Sequence, residues 1–364
     1  MERKITVTAI TIILCLYFSV QVFAEIKKEN QSPAGKDITA AKQSFDKGVF
    51  YLDNDRHDEA ITEFSKAIEL GYKNNDACYL KRGFAYGDKK NYDKAIADFT
   101  KAIEINPKNS DAYLGRGMAF SLQGNDTQAI SDFTKVIEIN PNNEEAYYSR
   151  AVAYGNKEDY DRAIGDYTRA IEINPKDYRA YASRGTIYHF SKNDHYKAIS
   201  DYTNAIKLEP NLYNCYFGLG LIYYEKKDYD QAISYFTKSM ENNPNGPEAA
   251  LKQRGIAYGR KGNYDQAISD FTKAIEINSK SDVYGLRAVT YLKKHDYDSA
   301  IADYTKEIEI NPLDGEHYYS RAVAYCRKQN YDKAWNDIHK AKELGVKVSS
   351  EFLEDLKKAS GREK

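Results

Sequence analysis

Charged residues that could bind an anion, or pair with each other, recur along this chain at a fixed spacing. In seven places an arginine is followed 16 or 17 residues later by an aspartate. The pairs are Arg82/Asp98, Arg116/Asp132, Arg150/Asp166, Arg184/Asp201, Arg254/Asp270, Arg287/Asp303 and Arg321/Asp337. A row of arginines could bind an anionic ligand. An arginine and a carboxylate could instead join two elements through two parallel hydrogen bonds.

The arginine and the aspartate change together within the chain, which favours the pairing interpretation. Between the fourth and fifth pairs, the equivalent positions hold Leu219 and Tyr235, so both charges are missing at once. At the first equivalent place, Lys47 and Glu63 keep the signs of the two charges. We therefore predict a repeated, partly buried ion pair between elements and not an anion-binding row.

The remaining polar residues show no pattern typical of catalysis or metal binding. No Gly-rich phosphate loop and no Ser or Cys nucleophile motif is present. The histidines show no metal-ligand spacing, such as two residues four apart with a carboxylate partner, so we interpret them as surface or turn residues. They are His57, His189, His195, His295, His317 and His339. The sequence thus predicts no catalytic residue, no metal site and no cofactor.

The elements that must position these residues repeat about every 34 residues. An alanine that follows a turn marks the period, with gaps of 33 to 35 residues. These alanines are Ala60, Ala95, Ala129, Ala163, Ala198, Ala232, Ala267, Ala300 and Ala334. A sustained period of this length indicates a solenoid, because one unit alone cannot bury its apolar face.

Each repeat contains two amphipathic helices. With the marking alanine numbered as position 20, apolar or small residues fall at positions 4, 8 and 11 and again at 20, 24 and 27, which is the spacing of one helix face. Position 8 is always Gly or Ala, which allows the two helices to approach closely. Proline at position 32 ends the second helix. Asn or Asp at position 16 predicts its N-cap, at Asn91, Asn125, Asp159, Asp228, Asn263, Asp296 and Asn330.

This pattern resembles the tetratricopeptide repeat family, whose signature has Leu-Gly at positions 7 and 8, Tyr at 11, Ala at 20 and 27, and Pro at 32. Nine repeats match over residues 41–348, with departures at Ser44, near Asn193 and at Glu307. The resemblance implies an all-α, right-handed superhelical solenoid of nine helix-turn-helix units. After them, Phe352, Leu353 and Leu356 fall on one side of a helix, which predicts a C-terminal capping helix and tail over residues 349–364. The resemblance also implies a non-catalytic scaffold that binds a protein or peptide in a concave groove.

The net charge of −1 gives no sequence-wide attraction to nucleic acid or to a membrane surface. We therefore predict no nucleic-acid partner, and a membrane contact only if the N-terminal segment is retained. Three cysteines outside that segment, Cys78, Cys215 and Cys326, lie in distant repeats, and we interpret them as small buried residues of helices and not as a disulfide framework.

The N-terminus has the three-part pattern of a secretory signal. Arg3 and Lys4 precede a mostly apolar run that ends at Ala24, which predicts a signal peptide over residues 1–24 and a flexible linker over residues 25–40. An uncut membrane anchor is the alternative, since about 20 apolar residues can span a bilayer. We expect an exported, periplasmic or otherwise extracytoplasmic protein that acts in assembly of an envelope or secretion complex. A membrane-anchored receptor and an accessory subunit of a glycosyl-transfer enzyme are the alternatives.

In the family that the chain resembles, positions 2, 5, 9, 12 and 13 of the first helix face the groove. Carried over to this chain, these positions give the predicted partner-binding residues Tyr148, Phe190, Phe217, Tyr224, Arg260, Lys293 and Arg327. Position 13 is acidic at Asp53 and Asp88 and becomes basic in repeats 7 to 9. We expect an extended partner whose acidic end lies toward those repeats. The alternative for each aromatic residue is that it packs against the next repeat.

Overall fold

The computed structural model describes residues 40–244, 246–279 and 282–361. These ranges form nineteen helices and no strand, which confirms the predicted all-α class of nine helix pairs and a final helix. None of the helices in these ranges has both the length and the apolarity needed to cross a bilayer. The predicted signal peptide, and the predicted linker up to residue 39, lie outside the described residues.

The chain divides into two compact halves, and the division between Ala180 and Tyr181 falls inside one helix. The N-terminal half holds repeats 1 to 4, formed by α1 (Ala40–Leu52), α2 (His57–Glu69), α3 (Asn75–Asp88), α4 (Tyr92–Ile105), α5 (Ser110–Leu122), α6 (Asp126–Ile139), α7 (Glu144–Asn156) and α8 (Tyr160–Ile173). The helix that spans the division is α9 (Tyr178–Phe190).

The C-terminal half holds the remaining repeats and the final helix. Its helices are α10 (His195–Leu208), α11 (Tyr213–Glu225), α12 (Tyr229–Glu241), α13 (Glu248–Lys261), α14 (Tyr264–Ile277), α15 (Val283–Lys293), α16 (Tyr297–Ile310), α17 (Gly315–Arg327), α18 (Tyr331–Glu343) and α19 (Ser350–Ser360).

The core of each repeat lies between its two helices, as the periodicity predicts. All nine marking alanines are fully buried, and a large side chain at position 24 fills the space beside them. In five repeats this side chain is Phe and it faces Gly at position 8. A Cβ atom added to Gly255 would lie 2.6 Å from the Phe271 ring, and one added to Gly220 would lie 2.5 Å from the Phe236 ring. The small residue at position 8 is therefore required by the ring that packs on it.

The predicted N-caps are confirmed at five of the seven positions. The side chains of Asn91, Asp159, Asp228, Asp296 and Asn330 accept a hydrogen bond from the backbone N–H three residues later.

The other two predicted caps are wrong. Asn125 and Asn263 occupy the cap position, but their side chains make no capping hydrogen bond. The side-chain amide of Asn125 donates instead to Gln123. Asp194 is a further cap that is not among the predicted ones; its side chain accepts from the backbone N–H of Lys197.

The final helix α19 covers the end of the last repeat. Leu356 is fully buried, and the Phe352 ring meets the Tyr319 ring at a centroid distance of 5.6 Å. Ser349 caps the helix by accepting from the Phe352 N–H, and the Trp335 indole N–H donates to Ser360. This arrangement matches the predicted capping helix.

Cys78, Cys215 and Cys326 are free thiols inside helices. Cys78 and Cys215 are buried, and burial raises the pKa of each thiol to about 12. Cys326 is half-buried. The prediction of small buried residues is therefore confirmed for the first two, and their protonated thiols are poor nucleophiles.

Candidate partner-binding surface

The paired arginines and aspartates join the two helices of one repeat. The Arg150 guanidinium donates from Nε to Asp166 Oδ2 at 2.7 Å and from Nη2 to Asp166 Oδ1 at 2.9 Å. The same two-bond geometry occurs in all seven predicted pairs. The predicted partly buried ion pair is thus confirmed, and the structure places both partners in the same repeat.

A hydroxyl group from the preceding repeat completes the arrangement. Arg150 Nη1 donates to Thr134 Oγ1 at 3.0 Å, and the Thr134 hydroxyl donates to the Ile130 carbonyl. The same contact joins Arg82 to Ser65, Arg116 to Thr100, Arg254 to Thr237, Arg287 to Thr272 and Arg321 to Thr305. Each of these arginines therefore connects three helices. This hydroxyl partner is not among the predicted contacts, although Ser or Thr stands at position 25 in repeats 1 to 8.

These arginines hydrogen-bond to other side chains of the protein and therefore do not form an anion-binding row. The Arg150 side chain is 16% exposed and the Asp166 side chain 12% exposed. The hydrogen bond to Asp166 is the main cause that raises the pKa of Arg150. In repeat 6 the pair is replaced by apolar packing, since Leu219 is buried and the Tyr235 ring stacks on Tyr223.

The predicted aromatic residues at position 5 lie in or against the core. Tyr148 is 3% exposed, because the Arg179 guanidinium lies 4.5 Å above its ring and Tyr167 packs beside it. Tyr148 is therefore too buried to contact a partner. The alternative prediction, that the aromatic residue packs against the next repeat, applies to it. Phe217 is half-buried and its ring lies 5.6 Å from the ring of Phe236.

The predicted residues at positions 12 and 13 of the C-terminal half lie at the surface. Phe190 is 65% exposed, and Arg260, Lys293 and Arg327 are exposed at or beside the ends of their helices. Tyr224 is half-buried. We call these five residues the position-13 surface.

Two basic residues of the position-13 surface contact a tyrosine of the preceding repeat, each at a different position. The Arg260 Nε donates to the Tyr224 hydroxyl at 3.3 Å, so position 13 of repeat 7 meets position 12 of repeat 6. The Lys293 ammonium lies 5.9 Å from the centroid of the Tyr264 ring, so position 13 of repeat 8 meets position 17 of repeat 7. The structure thus brings Tyr224 and Arg260 together.

Position 13 has a different environment in the N-terminal half. Asp53 is half-buried and the Asp88 side chain is 39% exposed, and desolvation within the fold raises the pKa of both carboxyl groups. Asp88 also lies 3.7 Å from the ring nitrogen Nδ1 of His57. At the acidic end of the predicted charge gradient, Asp53 is therefore less exposed to a partner than the basic residues at the other end, and Asp88 faces His57.

The interpretation of the histidines as surface or turn residues is wrong for His189. This side chain is 4% exposed, and its ring stacks on Phe190 at a centroid distance of 4.1 Å. Burial lowers the pKa of His189, against the opposing effect of the nearby Glu225. The physical reason is ring packing: His195 lies 5.7 Å and Tyr202 6.4 Å from the centroid of the His189 ring, and Phe190 stacks on it. The structure places His189, His195 and Glu225 together, a cluster that the sequence analysis did not foresee.

Repeat 8 departs from the family pattern at position 27, where it has a buried carboxyl group. Glu307 replaces the usual alanine there and is buried, and it accepts from the Gly285 N–H at 2.7 Å. Its other oxygen lies 2.9 Å from His317 Nδ1. Burial raises the pKa of Glu307 despite these contacts. The departure from the family pattern is therefore compensated by polar partners.

A third buried group of charges surrounds Arg179 in the N-terminal half. Its guanidinium donates to Asp177 from Nε at 3.0 Å and to Glu145 from Nη2 at 2.9 Å. Glu144 lies beside them and accepts from the Asn174 amide at 3.0 Å. Burial, followed by a hydrogen bond shared with Asp177, raises the pKa of Glu144 to about 7.

We expect Glu144→Gln to stabilise the protein at pH 8. The folded-state pKa of Glu144 lies above its ordinary value, so the stability linked to its proton is present in acid and lost as pH rises through about 7. Glutamine keeps the neutral form, and the gain in unfolding free energy at pH 8 should be about 1–3 kcal/mol. Urea unfolding of both proteins at pH 5 and pH 8 measures it.

The matched control is Glu145→Gln, which removes a carboxylate that Arg179 binds directly and should destabilise the protein at both pH values. A gain from Glu144→Gln that is the same at pH 5 and pH 8 would show that Glu144 is ionised in the folded state across this range.

The helix pairs, their spacing and their packing correspond to one known sequence family. Models described as tetratricopeptide repeat match residues 44–71, 77–109, 110–143, 144–177, 178–212, 211–280 and 286–337. The chain belongs to the tetratricopeptide repeat family. No curated protein sequence matches this tetratricopeptide repeat chain significantly.

Solved structures with the same repeats resemble parts of the chain. One is MamA, which is 30% identical over 44% of this chain and 94% of its own, with a TM-score of 0.43. Another is YrrB, described as a TPR protein with an unusual peptide-binding site, which is 24% identical over 51% of this chain and 94% of its own, with a TM-score of 0.45. A tetratricopeptide repeat protein from Parabacteroides merdae is 19% identical over 69% of this chain and 98% of its own, with a TM-score of 0.51.

Membership of the tetratricopeptide repeat family supports a protein-binding role, because stacked helix pairs present extended surfaces to other chains. The family does not specify the partner. That choice depends on the side chains that the repeats leave at the surface.

Proposed function

We propose that this tetratricopeptide repeat protein is a non-catalytic scaffold that binds an extended protein or peptide on the position-13 surface of its C-terminal half. One observation carries the proposal. The repeated arginines are held by aspartate and threonine, whereas Arg260, Lys293 and Arg327 are exposed and recur once per repeat. Basic side chains at this spacing can follow a partner along the repeats.

The chemistry of the surface defines the partner. The three basic residues fit an acidic segment, and complementary charge mainly raises the association rate and its dependence on salt. Phe190 and Tyr224 precede them along the chain and fit apolar side chains of the partner. Burial of such an aromatic residue at the centre of an interface contributes about 2 kcal/mol or more to binding.

The experiment begins with a partner that is captured from the native host and identified by mass spectrometry. Its affinity is then measured for Tyr224→Ala and for the double variant Arg260→Glu, Arg327→Glu. We expect the first to weaken binding roughly 30-fold, which corresponds to about 2 kcal/mol. The second should slow association and reduce the salt dependence of binding.

Tyr196→Ala is the matched control, because Tyr196 is a tyrosine of the same half that is 85% exposed on a second helix, α10. Binding at the position-13 surface predicts wild-type affinity for this control. If the control alone loses binding, the partner contacts the second helices and the proposed surface is wrong.

We propose in addition that the protein is exported and acts in assembly of an envelope or secretion complex. The support is the N-terminal sequence, in which Arg3 and Lys4 precede an apolar run that ends at Ala24. The mature chain should then begin at Glu25, and intact-mass measurement of protein from the native host should show the loss of residues 1–24. A mass that includes these residues would indicate an anchor instead.

A further inference from the structure

Three side chains that can bind a metal ion converge where repeat 5 meets repeat 6. His189 lies in the last turn of α9, His195 is the first residue of α10 and Glu225 is the last residue of α11. One nitrogen of each ring and one carboxylate oxygen all lie within 4.8 Å of one another.

The His189 ring lacks the partners that a buried imidazole normally has. Its side chain is buried, and neither ring nitrogen has a hydrogen-bond partner in the described part of the chain. His195 Nε2 is also buried without such a partner. Buried polar atoms in native proteins are nearly always satisfied. These nitrogens are therefore available to bind an ion.

The distances between the donor atoms fit a tetrahedral metal ion. His195 Nε2 lies 3.0 Å from Glu225 Oε2, without the geometry of a hydrogen bond, and His189 Nε2 lies 3.9 Å from the same oxygen. In a tetrahedral zinc site, the bonds from zinc to nitrogen and oxygen are about 2.0–2.2 Å long. Two donor atoms on the same zinc ion are then about 3.3–3.5 Å apart. The two observed distances lie on either side of this range, so small side-chain movements would complete the site.

We propose that His189, His195 and Glu225 bind a Zn²⁺ ion, with water in the fourth position. Two imidazoles and one carboxylate are a ligand set that zinc accepts, and an open fourth position is typical of such three-ligand sites. The ion would fasten the turn of repeat 5, which is one residue longer than the turn in most repeats, to the end of α11 in repeat 6. The proposal does not depend on the partner-binding role.

The chain contains a natural control in its first two repeats. His57 is the first residue of α2, as His195 is of α10, and Asp88 ends α3, as Glu225 ends α11. His57 Nδ1 and Asp88 Oδ2 lie 3.7 Å apart, so two of the three ligand positions are present. Leu52 stands at the position of His189, and this pair therefore lacks the third ligand.

The test is a titration of the purified chain, without a histidine tag and stripped by a chelator, with Zn²⁺ in competition with a chromophoric chelator. We expect one equivalent to bind to the wild type and to the control His57→Ala. His189→Ala and Glu225→Gln should each weaken binding at least 10–100-fold, the loss that even outer-sphere partners of a metal cause. Co²⁺ should give the visible absorption bands of a tetrahedral site in the wild type and not in these two variants.

Glu225→Gln and His195→Ala are included because they should fold even if His189→Ala does not. The Glu225 and His195 side chains are 50% and 26% exposed in the wild type, so their replacement leaves the core intact. Zn²⁺ should raise the melting temperature of the wild type and leave that of Glu225→Gln unchanged. The proposal is overturned if the wild type binds no Zn²⁺, if folded Glu225→Gln binds it as tightly as the wild type, or if His57→Ala loses the same affinity as His189→Ala.

Discussion

Arg150→Leu is expected to lower the free energy of unfolding by about 3–5 kcal/mol, because it leaves the Asp166 carboxylate buried without its partner. In the wild type, that carboxylate accepts two hydrogen bonds from Arg150, and its side chain is 12% exposed. The substitution also frees the Thr134 hydroxyl, which Arg150 Nη1 contacts at 3.0 Å. The loss should appear in urea unfolding followed by circular dichroism.

The double variant Arg150→Leu, Asp166→Tyr should be more stable than the single variant. It reproduces Leu219 and Tyr235, with which the chain itself fills these positions in repeat 6. Replacement of a buried ion pair by apolar residues is often neutral or stabilising, whereas removal of one partner is costly. Asp166→Tyr is measured alone as well. If the double variant loses as much unfolding free energy as the two single variants added together, the pair contributes no coupling energy.

Phe271→Ala should destabilise the protein by about 3–5 kcal/mol, because it opens a cavity in the core of repeat 7. The Phe271 ring is 2% exposed and belongs to a buried cluster with Leu251, Ala274 and Val283, which joins repeat 7 to repeat 8. The ring also lies directly against Gly255, so the backbone there limits how far α13 can move to refill the space.

Ile277→Ala is the control for this change, since Ile277 lies on the same helix and is 50% exposed. Its substitution should cost within about 0.5 kcal/mol, as is usual for surface positions. Thermal melting and urea unfolding of the two variants compare them directly. Equal losses would mean that the interface between repeats, and not the buried ring, limits the stability of this region.

The fold could be predicted from the sequence because the chain contains nine repeats that can be compared with one another. Each position is sampled once per repeat, so the joint exchange of Arg and Asp for Leu219 and Tyr235 indicates a contact from the sequence alone. The hydroxyl of Thr134 was missed because Ser or Thr stands at position 25 whether or not an arginine follows, as at Thr203 before Leu219. A residue that does not vary with its partner gives no signal of pairing.

The candidate site was less predictable, because it depends on neighbours that differ between repeats. Tyr148 stands at a position that faces the groove in the family, but Arg179 of the next repeat covers its ring. The cluster of His189, His195 and Glu225 joins residues of three helices, and spacing rules within one helix cannot detect ligands from three helices. In both cases the environment depends on residues that occur in one repeat only, and the shared repeat pattern does not include them.

The central claim is that a partner binds the position-13 surface, and site-specific photo-crosslinking in the native host tests it most directly. A photoreactive phenylalanine analogue is placed at Phe190, at Tyr224 or, as a control, at Tyr196 on α10. We predict one discrete protein adduct from the first two positions, weakened by the Arg260→Glu, Arg327→Glu double variant, and no adduct from Tyr196. An adduct that forms from Tyr196 and not from Phe190 or Tyr224 would contradict the claim.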